Sequence, residues 1–358
     1  MLKGLQIVVL LLLFGECAWA TTWYVYPEDT VPPASQAPQS DAASIQAALD
    51  KAAPGDTIEL APGRYFEDFH SVRDGTSDKP ITIHGTRASI VQGSGHRSHI
   101  IDINHDYIHL VGFTVDGLTG TPTVKHNYID KLIYVHGRRP NRGLTGLLID
   151  SLALRNAGGE CLRLRYFVNH SEIRNTLIAH CGVHDFRFTS AKKNGEGIYL
   201  GTSSTQWSDG KNPTADPDRS SHNWIHDNEF HTWGDECVDI KEGAEHNLVE
   251  HNICEHQQDA KSAGFDARGD DNVFRYNIVR DNVGSAFRLG GHRVDGRQYG
   301  IGNQVYGNTI GYNGAGAVKI MAKPQGRICD NLLQQANIIP VRGEGTTRIH
   351  PEARCPQG

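Results

Sequence analysis

Strict alternation of apolar and polar residues over short runs marks the second half of the chain. Six runs show it: Cys161-Leu-Arg-Leu-Arg165, Gly197-Ile-Tyr-Leu-Gly201, Cys237-Val-Asp-Ile-Lys241, Gly264-Phe-Asp-Ala-Arg268, Ala286-Phe-Arg-Leu-Gly290 and Ala317-Val-Lys-Ile-Met321. A period of two places Leu162, Ile198, Val238, Phe265, Phe287 and Val318 on one face, with Leu164, Leu200, Ile240, Ala267, Leu289 and Ile320 beside them. This predicts short strands with one buried face. A hexad alternates with these runs: His170-Ser-Glu-Ile-Arg-Asn175, Asn223-Trp-Ile-His-Asp-Asn228, Asn247-Leu-Val-Glu-His-Asn252, Asn272-Val-Phe-Arg-Tyr-Asn277, Asn303-Gln-Val-Tyr-Gly-Asn308 and Gly326-Arg-Ile-Cys-Asp-Asn331. A degenerate copy spans Gly146 to Ser151. Two places past each final Asn stand Leu177, Phe230, Cys254, Val279, Ile310 and Leu333, an apolar column. The Asn column reads as an internal ladder of amides at the ~4.8 Å strand spacing.

A repeat of about 24 residues with several short strands per turn predicts an all-β fold, a single-stranded right-handed parallel β-helix. Leucine-rich repeats are set aside because their Leu spacing is missing. Ser40-Asp41 is placed to cap a short helix running through Ala52, with Ile45 and Leu49 on one face, ahead of strands at Thr57 to Leu60, Ile81 to His84 and Tyr107 to Phe113. The repeat implies one β-helix domain over residues 21–358 with an N-terminal capping helix. An insertion, roughly Ser203 to Ser220, widens the gap between two hexads.

Composition adds the compartment. Lys3, the apolar run Leu5 to Phe14 and Ala18-Trp19-Ala20 read as a signal peptide over residues 1–20, hence secretion or export to a periplasm. The apolar run is short for a bilayer span, so no membrane anchor is expected. Six cysteines then remain, Cys161, Cys181, Cys237, Cys254, Cys329 and Cys355, which permit disulfides without fixing the pairing. A net charge of −6 argues against a general nucleic-acid surface, and a monomer is expected.

The alternation also sends two polar columns outward to solvent. One is Arg163, Tyr199, Asp239, Asp266, Arg288 and Lys319; the other is Arg165, Gly201, Lys241, Arg268, Gly290 and Met321. Glu160, Glu196 and Glu236 align at the strand entrances. Like charges ~4.8 Å apart repel unless something lies between them, so this column is a candidate Ca²⁺ site. One strip gathers Glu236, Asp239, Lys241, Asp266, Arg268, Arg288 and His292. Such a mixture suits β-elimination from a uronic acid: a cation neutralises the carboxylate, a base takes the C5 proton and the C4 oxygen leaves. A neighbouring Arg lowers a lysine's pKa toward the neutral amine a base needs, whereas Asp239 acts the other way.

Asn194-Gly-Glu-Gly-Ile-Tyr-Leu-Gly-Thr-Ser-Ser204, Gly234 to Lys241, Phe265-Asp-Ala-Arg-Gly269 and Phe287-Arg-Leu-Gly-Gly-His292 resemble the β-helix polysaccharide lyases that include alginate lyases and chondroitinase B. The resemblance covers about residues 190–310. It implies a lyase on an acidic polysaccharide, with Lys241 as Brønsted base and Arg268 as partner acid or carboxylate clamp. Tyr199, Asp239, Asp266, Arg288, His292 and Lys319 would meet the substrate, and Glu196, Asp235 and Glu236 would hold Ca²⁺. Two positions depart from the family: Gly234 stands where it has a second cation-binding acid, and Tyr199 where it usually has Arg. Asp235-Glu236-x-x-Asp239 with Gly284 to Gly291 also looks like a pectate lyase, with Arg288 as base. Gly264 to Arg268 faintly resembles the active strand of uronate C5-epimerases. A non-catalytic β-helix that binds an acidic glycan would carry the same strip. Trp207, on the insertion, is a candidate for stacking against a sugar ring.

Overall fold

The computed structural model describes residues 20–28, 41–189, 193–343 and 349–356. The expected signal segment lies outside the described residues up to Trp19. Among the described residues no helix is long and apolar enough to cross a membrane.

Successive coils each add strands to three parallel sheets, of 12, 10 and 10 strands among the described residues. The first runs through Ile149, Ile173, Ile225, Val249, Phe274 and Val305, the second through Leu154, Ile178, Phe230, Cys254, Val279 and Ile310. The third stacks Leu162, Ile198, Val238, Phe265, Phe287 and Val318 in the register that the alternation predicts. All of these side chains are buried, so the three sheets enclose one continuous apolar core of a parallel β-helix.

Corners between sheets must turn inside the stack, where backbone groups lack water. The asparagines satisfy them. Asn223 Nδ2 donates to Asn247 Oδ1, Asn247 to Asn272 and Asn272 to Asn303, at 2.9 to 3.2 Å. A second ladder runs Asn228, Asn252, Asn277, Asn308, Asn331, at 2.9 to 3.1 Å. Each Oδ1 also accepts the backbone N–H of the Asn one coil earlier, as Asn252 does from Asn228. Both Asn positions of the hexad therefore form ladders.

The first hexad is displaced by one residue from its expected register. Glu172 pairs with Trp224, so Ser171 and Thr176, not His170 and Asn175, stand beneath Asn223 and Asn228. Ile178 rather than Leu177 consequently joins the apolar column with Phe230. Asn175 has φ 50°, matching Asp227 at 54°, a left-handed turn position that Asn also favours. Two different physical demands select the same residue type.

The helix begins later than expected, at Ile45–Lys51. Ser44 is its N-cap and accepts from Ala47 N at 3.1 Å, while Glu67 accepts from Ile45 N at 2.9 Å. Asp41–Ala42 instead pairs with Tyr24–Val25 as a strand, and Ser40 lies outside the described residues. Ile45 and Leu49 are buried, as their spacing predicts.

The cysteines pair as Cys161–Cys181, Cys237–Cys254 and Cys329–Cys355. Cys237–Cys254 joins the entrance of a third-sheet strand to the second sheet inside the core, and adjacent coils make room for it. A Cβ at Gly264 would lie 2.8 Å from Cys254 Sγ, and one at Gly197 2.9 Å from the Phe230 ring.

Chemical denaturation should separate the two kinds of asparagine. Asn252→Ala removes the acceptor of the Asn228 backbone and side-chain N–H groups, and the amide donor to the Ile225 and Glu250 carbonyls and to Asn277 Oδ1. At ~1–3 kcal/mol per unmatched buried group, it should lose about 3 kcal/mol or more. Asn175→Ala should lose only about 1 kcal/mol, the left-handed penalty. Equal losses would contradict the register.

Candidate active site

The outward column of the third sheet is in register from coil to coil: Arg163, Tyr199, Asp239, Asp266, Arg288, Lys319. Facing away from the core does not expose it. Arg163, Tyr199, Asp239, Asp266 and Lys241 are all buried. Polar loops roof the sheet, which the alternation alone does not reveal. From the 203–220 insertion, Asn212 and Asp209 accept from Arg165 at 2.6 and 2.7 Å, and Gln206 accepts from Arg163 at 3.2 Å. Trp207 itself is buried: its Nε1 donates to Thr202 O at 2.9 Å and its ring meets Tyr299 edge-on. It anchors the insertion and is not placed to stack on a sugar.

Within this roof a cavity of about 250 Å³ is walled by Glu196, Asp235, Glu236, Asp239, Lys241, Arg268 and Arg288. Lys241 Nζ contacts the Asp239 carboxylate and lies 3.8 Å from Glu196 Oε1. Arg268 bridges Asp239 at 3.7 Å and Asp266 at 3.2 Å, and Arg288 pairs with Asp266. Tyr199 lies behind this layer, its ring between Arg163 at 3.6 Å and Lys241 at 4.1 Å. Adjacent coils therefore supply positive charge around the Tyr199 position. Besides Tyr199, three expected members are absent from the lining: Asp266, fully buried and paired with Arg268 and Arg288, and His292 and Lys319. His292 faces Glu242 at 3.2 Å and Ser204 at 3.4 Å, and Lys319 donates to Lys261 O at 2.9 Å.

Ion pairing divides the Glu column. Burial opposes ionisation of Glu160, but Arg163 and Lys131 overcome it and hold its pKa down at about 2. Burial, with Glu160, Glu236 and Asp239 nearby, pushes Glu196 up to about 8 against the pull of Lys241. Burial and the neighbouring Glu236 and Glu196 raise Asp235 well above the carboxylate range, and burial with Glu236 and Asp266 raises Asp239 to about 6. For Lys241, burial favours the neutral amine, but Asp239, Tyr199 and Glu196 outweigh it and Arg268 together. The net direction is upward, so the lysine rests protonated.

Glu196, Glu236 and Asp239 each bring a carboxylate oxygen within 4.8 Å of the other two. Asp239 Oδ1 and Asp235 Oδ1 are buried without hydrogen-bond partners. Crowded hard oxygens with unused lone pairs fit a cation of the Ca²⁺ type. Gly234 has a steric reason for lacking a carboxylate. A Cβ there would lie 2.3 Å from Cys181 O and 2.6 Å from Gly195 O, so no side chain fits. Asp239, expected as a substrate contact, joins the acid cluster, and Asp235, expected as a ligand, is not one of the three.

The strand alternation does not point to four lining residues: Lys193, Asp259, Lys261 and Ser262. They sit in loops; Ser262 Oγ contacts Glu236 and Lys193 pairs with Asp259. The only signal is adjacency, since Lys193 immediately precedes the Asn194 segment and Ser262 lies two residues before Gly264. The same outer face also continues toward the N-terminus. There Tyr134 pairs in register with Arg163 and Asp102, and Asp102 accepts from His99 and His136 at 3.1 and 3.0 Å. The alternation of Lys131-Leu-Ile-Tyr-Val-His136 carries that signal.

A coil-by-coil stack with a roofed polar face on its third sheet defines the chain as having the parallel β-helix fold of the polysaccharide lyases. In particular it is similar to the crystal structure of an alginate lyase from Paenibacillus sp. str. FPU-7, with TM-score 0.66 and 23% identity over 83% of this chain and 94% of that one. Pectate lyase Pel9A superposes with TM-score 0.59 and 12% identity over 94% and 82% of the two chains. The periplasmic alginate epimerase AlgG gives 0.52 and 12% over 79% and 61%. No protein-family model and no curated protein sequence matches the chain.

The raised Glu196 pKa has a measurable sign. In cation-free buffer the folded protein keeps this proton up to pH about 8, whereas the unfolded chain releases it near 4.5. The stabilisation is complete below the unfolded value and is lost as pH rises through that window. Thermal unfolding should show Tm falling from pH 5 to 8 more steeply in the wild type than in Glu196→Gln. Parallel profiles would show that Glu196 is ionised in the fold.

Proposed function

We propose that the chain is a lyase that cleaves an acidic, uronic-acid-containing polysaccharide by β-elimination outside the cytoplasm. The observation that carries this reading is the meeting of Lys241, Arg268 and Arg288 with the buried Glu196, Glu236 and Asp239 in one groove. The similarity in fold to an alginate lyase and a pectate lyase supports it. Three disulfides support an oxidising compartment.

In this reading Arg268 and Arg288 receive the substrate carboxylate. Both guanidiniums are held charged by Asp239 or Asp266, and the Arg288 Nε is buried with no protein partner. Pairing the carboxylate makes the C5 proton more acidic. Lys241 takes that proton, the C4–O bond breaks, a C4=C5 double bond forms, and the leaving oxygen takes the proton back from the Lys241 ammonium. Glu196, Glu236 and Asp239 are the residues that would hold Ca²⁺, which when bound neutralises carboxylate charge on the substrate and around Lys241. Arg268 acts as clamp rather than proton donor, because its two acidic partners raise an already high pKa. The same reasoning favours Lys241 over Arg288 as base: an amine can be brought to neutrality by its surroundings, whereas a guanidinium stays protonated.

The mature protein should release unsaturated uronate products, read by ultraviolet absorbance, from alginate, pectate or a glycosaminoglycan. Lys241→Ala should lower kcat by about 10² to 10⁴. Arg288→Ala should raise KM and also lower kcat, by less than Lys241→Ala does, and chelation should abolish activity until Ca²⁺ is restored. An inactive Arg288→Ala beside a nearly wild-type Lys241→Ala would move the base to Arg288. Inverted uronate without chain cleavage would identify an epimerase, and tight binding without product a glycan-binding protein.

A further inference from the structure

On the outer face of the second sheet, His231, Glu255 and His256 bring one donor atom each within 4.8 Å of one another. We propose that they form a second metal site, selective for a transition-metal dication of the Zn²⁺ class. The inference does not depend on the reading of the third-sheet groove. His231 and Glu255 are in register on adjacent coils, so the cluster bridges two turns of the helix.

Each donor is already oriented. His231 Nε2 lies 2.7 Å from Glu229 Oε1, a carboxylate that can only accept, so the proton sits on Nε2. In the neutral ring this turns the lone pair of Nδ1 toward Glu255. Arg280 occupies Glu255 Oε1, at 2.7 Å from its Nε, and leaves Oε2 facing His231 Nδ1 at 3.4 Å. Two acceptors then point at each other, an arrangement that calls for positive charge between them. Ligands 2.0–2.1 Å from a tetrahedral ion lie about 3.4 Å apart. His256 completes the set: one of its ring nitrogens lies within 4.8 Å of the other two donors, its ring stacks on Trp233 at 4.5 Å and 7°, and its Nδ1 is buried without a hydrogen-bond partner. Two imidazoles and one carboxylate are borderline donors that suit Zn²⁺, whereas Ca²⁺ takes an all-oxygen set. Glu229 on His231 and Arg280 on Glu255 would be the orienting partners such sites require.

Zn²⁺ titration of chelator-treated, dialysed protein by isothermal calorimetry tests the site. The expected result is Zn²⁺ binding that excess Ca²⁺ does not displace, with a Zn²⁺-dependent rise in Tm. His231→Ala and His256→Ala should each weaken that binding at least tenfold, and the double variant should lose it with its circular dichroism unchanged. Lys241→Ala should keep it. Glu229→Gln, at an exposed surface position, should weaken it by about 10- to 100-fold, and it decides the matter if the double variant folds poorly. Absence of Zn²⁺ binding would falsify the site, as would affinity unchanged in the folded double variant or in Glu229→Gln. The last of these outcomes would leave an imidazolium as the charge between His231 and Glu255.

Discussion

Parallel stacking sets one condition for the whole molecule: each side chain meets its counterpart from the next coil at about 4.8 Å. Apolar residues gain from this repetition, and Phe265 and Phe287 stack 5.7 Å apart in the core. Asparagine gains as well, because its amide is donor at one end and acceptor at the other and can be repeated indefinitely. Carboxylates cannot be repeated in this way. Glu160 is accommodated by Lys131 and Arg163, but Glu196 and Glu236 follow with too little positive charge beside them, and the proton affinity of Glu196 rises accordingly. The acid cluster is a deliberate exception to the rule that builds the rest of the stack.

The fold was legible because that rule writes itself into the sequence as columns. The third-sheet register follows the alternation residue for residue, and the Asn hexads mark the corners. Legibility failed where one residue type answers two demands, as at Asn175, which fits a left-handed turn and a ladder equally well on paper. For the site, alternation identifies which residues point outward but carries no information about what covers them. Alternation therefore brings Asp239, Lys241, Arg268 and Arg288 to one face, but it does not reveal the burial of Asp239 and Lys241 or the loop residues Asp259 and Ser262. His292 was placed in the strip by its strand, but the chain turns away after Gly290 and gives it to Glu242.

The two departures from the lyase pattern have local causes. Gly234 is enforced by the close approach of Cys181 O, on the coil held by the Cys161–Cys181 disulfide. Tight packing between these coils leaves no room for a side chain there. The carboxylates that cluster are Glu196 on one coil and Glu236 and Asp239 on the next. At Tyr199 an aromatic face replaces a cation, yet Arg163 and Lys241 approach that face from either side. Charge is relocated to neighbouring rungs and the groove keeps its mixture of acids and bases.

Asp239 links the two halves of that mixture. Its Oδ2 serves Lys241 and, more distantly, Arg268, while its Oδ1 is buried with no partner. As long as the carboxylate is ionised and uncompensated, it keeps the amine charged and unsuited to accept a proton. Any positive charge that engages Oδ1 and the adjacent Glu196 and Glu236 weakens this hold, and a desolvated lysine beside Arg268 is then pushed toward neutrality. The proton affinity of Lys241 and the charge on the neighbouring acids are in this way two readings of one electrostatic balance, with Asp239 at its centre.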